Sequence, residues 1–197
     1  MVTCMSLSKT KFSLQEFLSM PEIGDRSEFI GGEITPKVSP KYKHASVQGR
    51  LFRFLDDWCI REQCGRVCPE WAVVLKRQGQ DWVPVPDLTY VSYEKLPIEW
   101  EEDEPCPALA ELVIEIISPG QSFGEITSKA TDYLLAGISR VWVVDNQAQS
   151  VTVFGNSEFP QTFWVNDTIS DMLLPELAIA INDIFGGGRS LDANKSK

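Results

Sequence analysis

Two carboxylates and one lysine stand out by their setting. Asp87 follows Pro86 at the start of a strand-like run, Leu88 to Val91. Glu115 lies inside the nearly continuous apolar stretch Leu109 to Ile117, and Lys129 comes one helix further on. Hard cations such as Mg²⁺ prefer oxygen ligands and retain waters, so two carboxylates plus a backbone carbonyl, that of Ile116, are enough to hold one. A cation there polarises a scissile phosphate and lowers the pKa of a bound water. A nearby lysine can orient or deprotonate that water and stabilise charge developing on the phosphate. A plainer reading stands beside this one. A carboxylate in an apolar strand must be paired, protonated or metal-bound, and a buried Glu–Lys or Glu–Arg pair would meet that need. Lys129 can likewise pair with Glu125, four residues earlier on the same helix surface.

The whole chain limits what surrounds this constellation. Its 197 residues suffice for one domain with a real core, and 43% hydrophobic and 23% charged residues are ordinary for a globular protein. The net charge of −10 is not ordinary for an unaided nucleic-acid binder, because phosphate contacts supply most non-specific affinity. Contact with DNA therefore requires a local basic patch, a metal ion or a partner. The cysteines (Cys4, Cys59, Cys64, Cys68, Cys106) and the single histidine, His44, form no zinc framework. Their odd number and the lack of a signal sequence point to reduced thiols and a cytoplasmic protein, with a Cys59–Cys64 disulfide as the alternative. No apolar run reaches the ~18 residues that a membrane helix needs.

Residues 1–12 read as a flexible lead-in, 13–185 as a single domain, and 186–197, opened by Gly186-Gly187-Gly188, as a disordered tail. Ser13 to Glu16 is a capping-box pattern, predicting a short helix to about Met20. Glu28-Phe29-Ile30 and Glu33-Ile34-Thr35 flank Gly31-Gly32 and predict a tight hairpin. Ser39-Pro40 suggests the start of a long helix reaching about Gln63, with Gly65 as its left-handed cap. Val47, Leu51, Phe54, Leu55 and Trp58 make its apolar stripe. Lys41, Lys43, His44, Arg50 and Arg53 make its first half basic, which suits a solvated face or a phosphate-facing one.

Arg66 to Lys76 is predicted as one strand and Asp87 to Val91 as the next, with Asp87 at its beginning because Pro86 lacks a donor. The acidic, proline-bearing run from Ser92 to Pro107 is an exposed loop. Leu109 to Ile117 reads as a central strand covered on both faces. A helix from Phe123 or Gly124 to Ala136, stopped by Gly137, leads to a strand over Arg140 to Asp145; this strand–helix–strand unit implies a parallel pair. Val151 to Phe154 and Gln161 to Val165 form an antiparallel extension at the sheet edge. A last strand over Leu177 to Ile181 precedes a helical turn.

Taken together these pieces resemble the PD-(D/E)xK nuclease superfamily and, more narrowly, the Uma family of bacterial endonucleases. The matching segments, from about Ser13 to Phe185, are Glu28 to Glu33, Pro40 to His44, Pro86-Asp87-Leu88, Leu112 to Pro119, Lys129 with Tyr133, and Gly137 to Asp145. The resemblance implies an α/β, restriction-endonuclease-like core of helix, strand, strand, strand, helix and strand. An N-terminal helix and hairpin precede it and an antiparallel extension follows. It implies Asp87 and Glu115 as metal ligands for Mg²⁺ or Mn²⁺, Lys129 as catalytic lysine and Glu28 as a further active-site acid. The superfamily places its lysine two residues after the glutamate, where this chain has Ile117; Lys129, from the following helix, is the substitute. A second departure is Gly31, where the family often has Asp.

The implied function is metal-dependent endonuclease hydrolysis of DNA, with a homodimer expected. A catalytically silent interaction protein that keeps the fold and dimerises through its antiparallel edge is the competing reading, and the acidic charge favours it. Hydrolysis of another phosphorylated substrate is a third, since fold alone does not fix function.

Overall fold

A computed structural model of the chain describes residues 11–20, 27–156 and 158–186. The expected lead-in before residue 11 and tail from residue 187 lie outside these. Helix α1 (Leu14–Leu18) starts at the expected capping box: the Ser13 side chain accepts from Glu16 N, and the Glu16 side chain accepts from Ser13 N. Strands β1 (Ser27–Ile30) and β2 (Glu33–Pro36) form the predicted hairpin, and both turn residues, Gly31 and Gly32, sit at positive φ. The Phe17 ring stacks on Phe29 at 5.1 Å and holds α1 against β1.

Helix α2 spans Tyr42–Glu62 and so begins two residues after the expected start, with Lys41 rather than Ser39 as N-cap and no side-chain cap bond. Pro40 instead ends the extended segment leading in, a conformation its fixed φ suits equally well. The far end also differs from expectation. Gln63 takes the left-handed conformation, with φ 50°, and Gly65 opens strand β3 (Gly65–Pro69). A Cβ on Gly65 would lie 2.4 Å from the Val91 carbonyl, so close strand approach rather than helix capping requires glycine there.

The single strand expected over Arg66 to Lys76 is two. Pro69 ends β3, Glu70 turns the chain at φ 53°, and β4 (Leu75–Arg77) joins a different sheet with β5 (Gln80–Val83). The hairpin β4–β5 completes a four-stranded sheet of order β2-β1-β5-β4.

The main sheet contains β3, β6 (Leu88–Ser92), β7 (Leu112–Ile116), β8 (Arg140–Asp145), β9 (Ser150–Gly155) and β10 (Glu158–Phe163), in the order β10-β9-β8-β7-β6-β3. Only β7 and β8 run parallel in it, joined through helix α3 (Phe123–Leu135) as the sequence predicts. Within this sheet the order helix, strand, strand, strand, helix, strand is preserved, with β4–β5 inserted between the first two strands. The edge strand β10 carries Pro160 and a register shift between Glu158 and Gln161, both features that limit further pairing. A strand not anticipated, β11 (Thr168–Asp171), pairs with β12 (Leu174–Ala180) as a separate two-stranded sheet before helix α4 (Ile181–Phe185).

Helices cover the two faces of the main sheet, and strand alternation sorts the side chains between them. Leu51, Leu55 and Trp58 of α2 pack with Leu88, Tyr90, Ile114, Ile116, Trp142 and Val144. Ile126, Ala130 and Tyr133 of α3 pack with Val91, Val113, Val141 and Val143 on the other face. Glu115 alternates with Ile114 and Ile116, so it faces α3. Cys59, Cys64, Cys68 and Cys106 are free thiols, and burial pushes the Cys106 thiol up to about 11. Among the described residues no helix is long and apolar enough to cross a membrane.

Candidate active site

Asp87 stands immediately before β6, next to the middle of the sheet. The residue is only 4% exposed, so a charged carboxylate needs several partners. Oδ2 accepts the Ile116 backbone N–H at 2.6 Å and lies 3.2 Å from His44 Nε2; Oδ1 is 3.4 Å from Lys37 Nζ. Burial alone would raise the pKa of Asp87, but the His44 contact, the Lys37 charge and the Ile116 N–H outweigh it and hold the carboxyl below its usual range. His44 responds in the opposite sense. Burial disfavours its charged form, yet the hydrogen bond and charge of Asp87 prevail and raise its pKa above the ordinary 6.5. Nδ1 of His44 is buried without a hydrogen-bond partner among the described residues. Gln48, one turn along α2 from His44, donates to the Asp87 carbonyl at 2.9 Å and to Glu70 Oε1 at 2.8 Å. Glu70 is also paired with Lys37.

Glu115 projects from β7 toward Tyr133 and Lys129 of α3 and is 6% exposed. Its Oε1 accepts from the Tyr133 hydroxyl at 2.7 Å and from Lys129 Nζ at 2.9 Å. Lys129 also reaches Glu28 Oε1 at 2.7 Å, and that oxygen accepts the Val85 N–H at 3.3 Å. Lys129 and Tyr133 are one turn apart on α3, so both point from one helix face to the same carboxylate. The surface pair of Lys129 with Glu125 does not form; Glu125 caps α3 through Ser122 instead. Burial raises the pKa of Glu115, the attraction of Lys129 opposes this, and the charges of Asp87 and Glu28 add to the rise. Lys129 is disfavoured as a cation by burial, but Glu115 and Glu28 together push its pKa above the usual lysine value. The lysine is therefore a fixed positive charge at neutral pH.

Glu28, Glu115 and Lys129 thus meet in direct contact, and Asp87 joins them through the peptide N–H that follows Glu115. An opening of about 350 Å³ reaches Asp87 and His44 past Lys37, Pro40 and Ser118. A second of about 350 Å³ reaches Glu28 and Lys129 past Thr35, Trp82 and Gln121. Among the described residues no three His, Cys, Asp or Glu side chains gather into a metal-binding cluster. The donor set nonetheless fits Mg²⁺, which is commonly held by one or two carboxylates and keeps several waters. Both contacts of Glu115 go through Oε1, and Asp87 Oδ1 has only the 3.4 Å contact with Lys37, so each carboxylate retains an oxygen for a cation.

Lys37, Gln48 and Glu70 were not foreseen, and His44 was read as part of a basic helix face and of the family-like segment Pro40 to His44, without a role at the site. Gln48 had a signal: residues 44 and 48 are polar positions within the buried stripe of Val47, Leu51, Leu55 and Trp58. Lys37 and Glu70 have none, since they follow β2 and β3 and are brought together from the ends of strands in separate sheets. Of the other basic residues, Arg50 donates to the Ile184 carbonyl at 3.1 Å and Arg53 lies over the Phe54 ring, leaving Lys41 and Lys43 as the exposed cations at the start of α2.

Residues 14–182 match the family model Uma2, described as "Putative restriction endonuclease". The fold is similar to the crystal structure of a "putative nuclease belonging to DUF820" from Anabaena variabilis: 26% identity, 88% of this chain and 97% of that chain covered, and a TM-score of 0.74. No curated protein matches the sequence. The family match spans most of the chain, and the chain belongs to the Uma2 family of restriction-endonuclease-like proteins.

Proposed function

We propose that this chain is a metal-dependent endonuclease that hydrolyses DNA phosphodiester bonds at the Asp87–Glu115–Lys129 centre. The observation that supports this best is the 2.9 Å contact of Lys129 with Glu115. A lysine from the next helix thereby stands beside the glutamate, as the missing lysine at position 117 would. Asp87 and Glu115 would hold Mg²⁺ or Mn²⁺ together with the Ile116 carbonyl; bound there, the cation supplies Lewis-acid polarisation of the phosphate and a more acidic water.

The chain's own residues do the rest. Lys129, kept charged by two carboxylates, stabilises negative charge on the phosphate as the water oxygen bonds to phosphorus and gives its proton to solvent, while the bond to the leaving oxygen breaks and that oxygen takes a proton from solvent. Its raised pKa makes it an electrostatic group rather than a proton acceptor. Glu28 holds the ammonium from the hairpin side, and Tyr133 fixes the rotamer of Glu115. Lys37 and His44 position Asp87 and offset its charge where an anionic substrate must approach.

Plasmid cleavage with Mg²⁺ or Mn²⁺, alongside Asp87→Ala and Glu115→Ala, tests the assignment. Loss of cleavage in both variants is expected; cleavage unchanged in both would sink it. The silent interaction protein is favoured by one observation, that the ion network is already satisfied without a metal. Calorimetry that finds no binding at millimolar Mn²⁺ would support that reading. The expected homodimer finds its support in exposed apolar side chains of the C-terminal strands and turns, Phe159, Trp164, Met172 and Leu173, rather than in the interrupted β10 edge.

A further inference from the structure

A cleft lies beside the approaches to the carboxylates. It has a volume of about 880 Å³, and its lining includes Lys41, Tyr42, Lys43 and His44 from the start of α2 and Gln121, Ser122 and Phe123 from the start of α3. His44 and Ser118 also line the opening to Asp87, and Gln121 also lines the opening to Lys129 and Glu28, so the cleft adjoins both approaches to the centre. Two aromatic side chains are exposed in it, Tyr42 at 82% and Phe123 at 43%. Their exposure leaves ring surface uncovered by the protein. Lys41 and Lys43 flank Tyr42 and bring positive charge to an otherwise acidic chain. The carboxylate in the cleft, Asp145, is engaged in its own turn, its Oδ1 accepting the N–H groups of Gln147 at 2.7 Å and Ala148 at 2.9 Å.

From this combination, and resting on the nuclease reading above, we infer that the cleft binds an unpaired stretch of DNA, with bases stacked on Tyr42 and Phe123 and the backbone on Lys41 and Lys43. Aromatic rings and lysines along one groove are how single strands are bound without sequence preference. A base inside a duplex is already stacked on both faces and offers none to a protein ring until it is extruded. The burial of Asp87 and Glu115 points the same way, because a phosphodiester must enter the molecule to reach them and a single strand is the thinner substrate.

Fluorescence anisotropy with a labelled single-stranded DNA oligonucleotide, the same sequence as a duplex, and its RNA counterpart tests the inference, all in EDTA so that cleavage plays no part. The single DNA strand should bind at least about tenfold more tightly than the duplex. Tyr42→Ala and Phe123→Ala should each weaken it by about fivefold or more, the lower end of one base-stacking contact. Tyr42→Trp should retain binding, and unchanged thermal unfolding of all three variants should show that they fold. Equal or tighter binding of the duplex, tighter binding of the RNA, no binding of any oligonucleotide, or indifference to both alanine variants overturns the inference. The two readings fail separately. Cleavage lost in Asp87→Ala with strand binding indifferent to Tyr42→Ala removes this inference and leaves the nuclease standing. Strand binding lost in Tyr42→Ala with no cleavage in any metal does the reverse.

Discussion

Lys129 holds two carboxylates from different elements and is the cation that both of them contact. Lys129→Met should cost about 3 kcal/mol in urea unfolding, the cost of leaving a buried charge unpaired. Ile117 shares the α3-facing side of the sheet with Glu115, since it is two residues further along and packs with the same cluster. A lysine placed there should therefore reach the same carboxylate, and Ile117→Lys combined with Lys129→Met should recover part of the lost cleavage; no recovery would show that Lys129 works through another geometry. Glu115 gives a prediction in pH. Its folded pKa is raised above 4.5, so its contribution to stability is full below that value and is lost as pH rises through the folded pKa. Glu115→Gln removes that loss, and its melting temperature relative to the parent should climb between pH 4 and pH 7 in EDTA. A difference that shrinks over that range would contradict the account. Asp87, Glu115, Lys129 and Glu28 were legible in the sequence because each is a charged residue bordering or interrupting an apolar run, or belongs to a family segment. Lys37 and Glu70 were not, because only the meeting of two sheets gives them a common partner.

At the scale of elements, the strands and helices with one clear period were legible: the hairpin, α2, β7, α3 and β8. Boundaries failed where one residue type serves two purposes. Gly65 reads equally as a helix stop and as a close-packed strand residue, and the 2.4 Å approach of the Val91 carbonyl decides for the second. Gly65→Ala should thus destabilise the protein by about 1–3 kcal/mol in denaturant unfolding, as overpacking does; an effect within a few tenths would restore the capping role. The run from Arg66 to Lys76 failed because Pro69 and Glu70 divide it between two sheets, and pairing partners cannot be read from a local pattern. Helix α3 aims Lys129 and Tyr133, and its first turn depends on the Ser122–Glu125 capping box. Ser122→Ala should cost about 1 kcal/mol at neutral pH. The pKa of Glu125 is lowered by the Ser122 backbone N–H, so its capping contribution is present above 4.5 and lost as pH falls through the folded value. The penalty for Ser122→Ala should accordingly shrink in acid, which thermal melts at several pH values would read.

For the whole molecule, the charge of −10 means that affinity for DNA comes from few contacts. Each lysine that releases counterions from a single strand adds roughly 0.7 to the slope of log affinity against log salt. Lys41→Ala with Lys43→Ala should reduce that slope by about 1.4, and an unchanged slope would place the phosphates elsewhere. The acidic loop after β6 is tied down at its turn by Arg66, which donates to the carbonyls of Pro97 and Trp100 at 2.7 Å each, so its carboxylates form a fixed part of the surface. The most direct test of the central claim is the rate of plasmid cleavage by Lys129→Met in Mg²⁺, measured against the parent protein below the unfolding transition of both. Removal of a positioned charge from the phosphate should lower the rate by about a hundredfold or more. A rate within twofold of the parent would show that Lys129 is only the structural partner of Glu115 and Glu28.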